Sequence, residues 1–300
     1  MTNFLDRCEG TFLAHAIADQ LSAPTLMAYH LTQSLLELNK FDSSDVLSRY
    51  LWMYHSNKCD MGEIVKLIYD VHVSRIQTKK RELKQEDFKF DIQQINETCQ
   101  KVDEKLKHLT SGINPAHRSF PIALCPLIND YNVFQFSVED AHLTHYSPIA
   151  GQVSGIVNLI CRYLIKGQEW NDAVHNALTV PNLDNNIRLL YTNYKRFPLF
   201  EKSKPAAYAP NALNTALYCL NDVHVHSFES ALQKVYETDK NYAPALVGIL
   251  AGCRWGVSQS MLDTAGAILE SVSGIRKTAN VLAKLWEQHS PKGANATVYA

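Results

Sequence analysis

Apolar residues recur at helical spacing along nearly the whole chain, and no stretch alternates apolar with polar residues as a half-buried strand would. Between Leu26 and Leu38 the set Leu26, Met27, Leu31, Leu35, Leu36 and Leu38 forms one stripe, with Thr32, Gln33 and Glu37 between its members. Asp42-Ser43-Ser44-Asp45 then offers side-chain oxygens to cap a second helix through Val46, Leu47, Tyr50, Leu51 and Tyr54. An all-α fold follows.

The same pattern predicts a helix over 63–76 and a charged helical stretch up to His108, whose apolar stripe is Ile92, Ile95, Val102, Leu106 and Leu109. Its charged side, which begins with Lys79-Lys80-Arg81-Glu82, is read as a solvated face. Ser111-Gly112-Ile113-Asn114-Pro115 breaks that helix, because proline lacks the amide donor and glycine is permissive. Beyond it, helices are expected over 138–141, 150–167, 170–178, 185–194, 211–220, 227–236, 244–255 and 261–285. The segment from Tyr194 to Pro210, rich in lysine and proline, is the one loop long enough to expect mobility. One helical domain over 1–289 and a disordered tail over 290–300 are expected.

Composition removes several classes of function. Lysine and arginine number 29 against 30 acidic residues, which leaves no basic footprint for nucleic acid or an anionic membrane. Glycine, at 12 of 300, lies below the roughly 7% usual in proteins and argues against glycine-rich phosphate loops. The start, Met1 to Glu9, carries Asp6 and Glu9 instead of a basic, then apolar, secretory signal, so a cytoplasmic protein is expected. The longest apolar run, Val153 to Ile165, holds Asn158 and Arg162 and is shorter than the roughly 20 residues that span a bilayer. Seven scattered cysteines, Cys8, Cys59, Cys99, Cys125, Cys161, Cys219 and Cys253, suggest neither a disulfide framework nor a paired-cysteine metal site.

Three segments carry a family resemblance. Asn114-Pro115-Ala116-His117-Arg118 with Pro121-Ile122-Ala123-Leu124 is similar to the "GN.a.R..Pla" segment of ADP-ribosylglycohydrolases, and Leu143-Thr144-His145 with Pro148 to their "lTH..p.a" turn. Phe228-Glu229-Ser230-Ala231-Leu232, then Asp239, then Ala245 to Gly256 resembles their "F..al......GGDTDTnaai.GalaGaryG" signature. Gly10 to Leu21, ending Ala18-Asp19-Gln20-Leu21, resembles their opening helix with its "GDALG" end. The resemblance implies a compact multi-helix domain. In active members it also implies two magnesium ions over the ribose of an ADP-ribosyl group, held by a "TDDT" cluster and a "DxDT" cluster.

Carried over residue by residue, the first cluster falls on Ser22-Ala23-Pro24-Thr25, where both aspartates are gone. The second falls on Asp239-Lys240-Asn241-Tyr242, which keeps one aspartate and adds a lysine. Two hard dications need mostly ionised oxygen ligands, so the resemblance implies that no magnesium pair and no other cofactor is bound. The segment that carries a further catalytic glutamate between the two motifs is also missing, since Asp19 lies just before Ala23. Ser22, Ala23, Pro24, Thr25, Asp239, Asn241 and Tyr242 are therefore relic positions, and Asn114 with Ser22, Thr25, Asp239, Asn241 and Tyr242 would remain in the old cleft.

Other constellations compete. His142, His145, His224 and His226, with Cys219, could be imagined as zinc ligands, although spacing alone shows no convergence and the plainer reading is ordinary histidines. His145 is expected to brace the turn before Pro148. Cys125 with His117 or His145 could be a nucleophilic pair, but Ala123-Leu124-Cys125-Pro126-Leu127 reads as core. In its lost ligands and kept packing residues, the chain resembles the branch holding the J-type lens crystallins of jellyfish and selenoprotein J. That resemblance implies a non-catalytic structural protein; the net charge near zero runs against a protein kept at very high concentration, because low net charge promotes association, and it leaves self-association open as a partner chemistry. The alternative is a divergent ADP-ribosyl hydrolase or a metal-free ADP-ribose binder that uses the old cleft.

Overall fold

The computed structural model describes residues 4–57, 60–76, 83–266 and 274–289. Among them the chain is helical throughout, with no strand and a single isolated bridge between Gly112 and Tyr208. The expected tail over 290–300, the Lys79 to Glu82 run and Cys59 lie outside the described residues.

Helix α1 (Phe4–Ala18) runs through the centre, packed along α14 (Ala243–Trp255) and against the last helix (Ile275–His289). Small residues allow this approach. A Cβ added at Gly252 would lie 2.5 Å from the Thr11 Cα, and one at Gly248 would lie 2.7 Å from the Ala14 carbonyl oxygen. Either addition forces backbone to move. Gly256 caps the end of α14 with φ 74°, and it extends the close approach to α1, since its Cα would meet a Cβ at Gly10 at 2.7 Å.

The buried helix α9 (Pro148–Ile165) packs on α8 (Asp130–His142), α10 (Trp170–Leu178) and α14. It starts with proline in its first turn, where a missing amide costs nothing, and the chain turns away at Gly167, φ 90°. At 18 residues it is long and apolar enough to cross a membrane, longer than the 153–165 run suggested, yet 78% of it is buried inside the protein. Its buried side-chain donors find most of their acceptors inside the protein, although among the described residues Asn158 Oδ1 and Arg162 Nε have no partner. Asn158 Nδ2 donates to the Ser119 carbonyl at 3.1 Å and to Ser137 Oγ at 2.6 Å, and Arg162 donates to the carbonyls of Ile122 and Cys125.

Helices α2 (Ala23–Leu38), α3 (Ser43–Asn57), α4 (Glu63–Ser74) and α5 (Ile92–Lys105) form one flank. The expected cap of α3 is present, Asp42 Oδ1 accepting the Asp45 amide at 3.2 Å. Between α5 and α8 the chain makes two short helices, α6 (Asn114–Arg118) and α7 (Pro121–Leu124). The other flank holds α11 (Asn185–Asn193), α12 (Ala209–Leu220) and α13 (Phe228–Thr238).

Two expectations change. The Tyr194 to Pro210 loop is pinned by side chains of α12: Asn211 Nδ2 donates to the carbonyls of Glu201, Lys204 and Pro205, and Asn214 Nδ2 to those of Phe197 and Pro198. The helix expected over 261–285 is not continuous: among the described residues α15 (Gln259–Thr264) ends at Ala265, and the last helix begins after Gly274 at φ 115°.

Candidate functional site

The first turns of α2 and α14 face a cleft of about 820 Å³, the place to look for chemistry. Ser22, Pro24, Asn114, Lys240, Asn241 and Tyr242 all line it. Ala23, Thr25 and Asp239 do not, which corrects the expectation that Thr25 and Asp239 remain as cleft groups.

The reason is what these side chains hold. Thr25 is fully buried, and both its amide, at 3.1 Å, and its hydroxyl, at 2.6 Å, donate to Asp19 Oδ2. Ser22 occupies the N-cap position of α2 without a side-chain cap bond, so Asp19 supplies the acceptor instead. Asp239 does the same for α14. Its Oδ1 accepts the amides of Asn241 and Tyr242 at 2.8 and 3.3 Å, and its Oδ2 accepts the amide of Ala243 at 3.0 Å. Each carboxylate answers amides that a helix start leaves unpaired and meets the positive end of the helix dipole. Sequence pattern does not mark Asp19 as a site residue, because its partner Thr25 lies across a turn carrying two left-handed residues, Gln20 and Leu21.

Three histidines surround this floor. His117 Nε2 donates to the Tyr242 carbonyl at 2.8 Å, tying α6 to the start of α14. Burial pushes His117 down to about 4, with the nearby Asp19 carboxylate opposing the shift. Burial likewise pushes His15 down to about 3, and the same cause raises Asp19 above the usual carboxylate range. His145 is 1% exposed, braces its turn through Nδ1 and Thr144 Oγ1 at 2.9 Å, and also lines the cleft.

The donor set does not fit a magnesium pair. Ala23 and Pro24 carry no side-chain oxygen, the Thr25 hydroxyl is spent on Asp19, and both Asp239 oxygens accept backbone amides. His142, His145, His224 and His226 are not gathered either. Among the described residues no three His, Cys, Asp or Glu side chains are grouped to hold a metal. Cys125 is buried and burial raises its thiol, the opposite of what a nucleophile needs.

The segment similar to "GN.a.R", Asn114 to Arg118, proves to be a buried brace. Arg118 Nε donates to Asp140 Oδ2 at 3.0 Å, its Nη1 to Asn114 Oδ1 at 2.8 Å and its Nη2 to the Asp140 carbonyl at 2.7 Å. Tyr50 donates to Asp140 Oδ1 at 3.0 Å, so the ion pair, with neither side chain exposed, has its hydrogen-bonding capacity largely filled.

Comparison with known proteins places this architecture. Among curated proteins none matches the chain in sequence. A solved structure named "ADP-ribosylglycohydrolase-related protein complex" is similar over 97% of this chain and 100% of its own, with TM-score 0.66 and 19% identity, which establishes the shared all-α fold. The ADP-ribosylglycohydrolase family model matches residues 1–293, and the chain therefore belongs to the ADP-ribosylglycohydrolase family.

Proposed function

We propose that this chain is a non-catalytic, structural member of its family, a cytoplasmic protein without cofactor that serves as a lens crystallin of the J type. One observation carries the proposal. The two carboxylates left near the relic positions, Asp19 and Asp239, are occupied as helix caps, so neither is free to hold a metal or orient a water. A crystallin needs only a dense, soluble fold, and the glycine contacts between α1 and α14 are of that kind.

Purified protein incubated with magnesium and ADP-ribosylated arginine, ADP-ribosylated serine or poly(ADP-ribose) is expected to release no ADP-ribose above a heat-killed control. Transcript localisation to lens tissue tests the crystallin part separately. The persistence of an 820 Å³ cleft favours the second reading, a divergent ADP-ribosyl hydrolase or metal-free ADP-ribose binder. Metal-stimulated release, or saturable binding of ADP-ribose, would promote it.

A further inference from the structure

The balance of 29 cations and 30 acidic residues over the whole chain conceals a local excess. Between Asp184 and Lys204 five cations, Arg188, Lys195, Arg196, Lys202 and Lys204, stand against two carboxylates. All five are exposed, and among the described residues none of them forms an ion pair. Both carboxylates are engaged locally instead, Asp184 Oδ1 accepting the Asn186 amide at 2.8 Å and Glu201 Oε1 the Ser203 hydroxyl at 2.7 Å.

The fold gathers these charges. The Phe197 amide donates to the Asn193 carbonyl at 3.0 Å, so the helical path of α11 continues past its end and sets Arg188 and Leu189 two turns from Lys195 and Arg196 on one side. Asn214 holds the carbonyls of Phe197 and Pro198, and Asn211, one turn away on α12, holds those of Glu201, Lys204 and Pro205. The stretch with Lys202 and Lys204 therefore lies beside the stretch with Arg196. Two large apolar side chains stand among the cations, Phe197 at 58% and Leu189 at 55% exposed, the backbone of Phe197 being fixed there by Asn214.

Cations around protruding apolar residues match the headgroup region of an anionic bilayer, where the charges meet lipid headgroups and the apolar groups enter the acyl boundary. Single-stranded nucleic acid fits less well, because it stacks its bases on free aromatic faces. Here Lys195 lies over the rings of Tyr191 and Tyr194 at 4.8 and 5.8 Å, and Lys204 over that of Tyr208 at 5.9 Å.

We propose that the surface formed by α11 and the loop after it docks on an anionic lipid bilayer, its five cations on the headgroups and Leu189 and Phe197 inserted between them. None of these residues lines the cleft, so failure of this site leaves the structural reading standing.

The test is cosedimentation of the full chain with vesicles of phosphatidylcholine alone and with about 30% phosphatidylserine. Binding is expected only with the anionic lipid, and it should weaken about tenfold or more as salt rises from about 0.05 to about 0.5 M. Arg188→Gln and Arg196→Gln are each expected to weaken it about fivefold, the factor one cation near the surface contributes. Phe197→Ala should weaken it about tenfold, and Lys101→Gln, at an exposed position of α5 on the other flank, should change nothing. Arg188 and Arg196 make no side-chain hydrogen bond among the described residues, so folding is not at stake. No sedimentation with anionic vesicles up to about 5 mM lipid, binding indifferent to the three variants, or tighter binding to an oligothymidylate or to polyglutamate than to the vesicles would overturn the proposal.

Discussion

Gly252 on α14 lies so close to Thr11 on α1 that a methyl group at 252 would sit 2.5 Å from the Thr11 Cα and 2.8 Å from the Gly10 carbonyl oxygen. The obstruction is backbone on both counts, which cannot swing aside as a flexible side chain would.

Gly252→Leu is therefore expected to cost about 3 kcal/mol or more, the upper part of the overpacking range. Asn241→Ala and Tyr242→Phe, at exposed positions, should each change stability by about 1 kcal/mol or less. Chemical denaturation measures all three, and a neutral Gly252→Leu beside a damaging Tyr242→Phe would reverse the assignment of packing and cleft.

A cap and a metal ligand also respond differently to removal. If Asp239 holds the start of α14, Asp239→Ala leaves three amides without their acceptor and should destabilise by about 1 to 2 kcal/mol. Functional carboxylates are often held at a cost in stability, so their removal tends to be neutral or stabilising. A rise in thermal midpoint on Asp239→Ala would count against the capping role.

The buried histidines set a pH dependence whose sign is fixed. His15 and His117 are pushed down to about 3 and about 4, below the roughly 6.5 of an unfolded histidine. Between those values the unfolded chain binds more protons, so their contribution is complete above about pH 6.5 and declines as pH falls towards 4. From pH 7 to 5 the two together are expected to remove roughly 2 to 4 kcal/mol. Denaturation across this range checks it, and the slope should flatten in His15→Phe, which can keep the packing of the His15 ring against Phe120 at 4.7 Å.

The sequence revealed helices such as α5 and α13 because they bury one stripe, and periodicity records that burial directly, whereas α9 and α14 are buried on nearly every face and show as continuous apolar runs. It misjudged the Tyr194 to Pro210 loop because composition says nothing about distant side chains: the amides of Asn211 and Asn214 that pin it sit on a helix that reads only as apolar. The helix expected over 261–285 is interrupted after Thr264, and the last helix starts behind Gly274, whose positive φ is invisible in a hydrophobic pattern. In the site, residue type alone shows that Ala23 and Pro24 offer no side-chain oxygen. It does not show the duty of Asp19, since that depends on a turn that folds the carboxylate back onto the start of α2.

The central claim, that the surviving carboxylates serve the fold and no longer a metal, is tested most directly by titrating magnesium into the protein at neutral pH in a calorimeter. No saturable heat is expected from micromolar to millimolar concentrations, in the wild type or in Asp239→Ala. A stoichiometric binding heat in the wild type that disappears in Asp239→Ala would contradict the account.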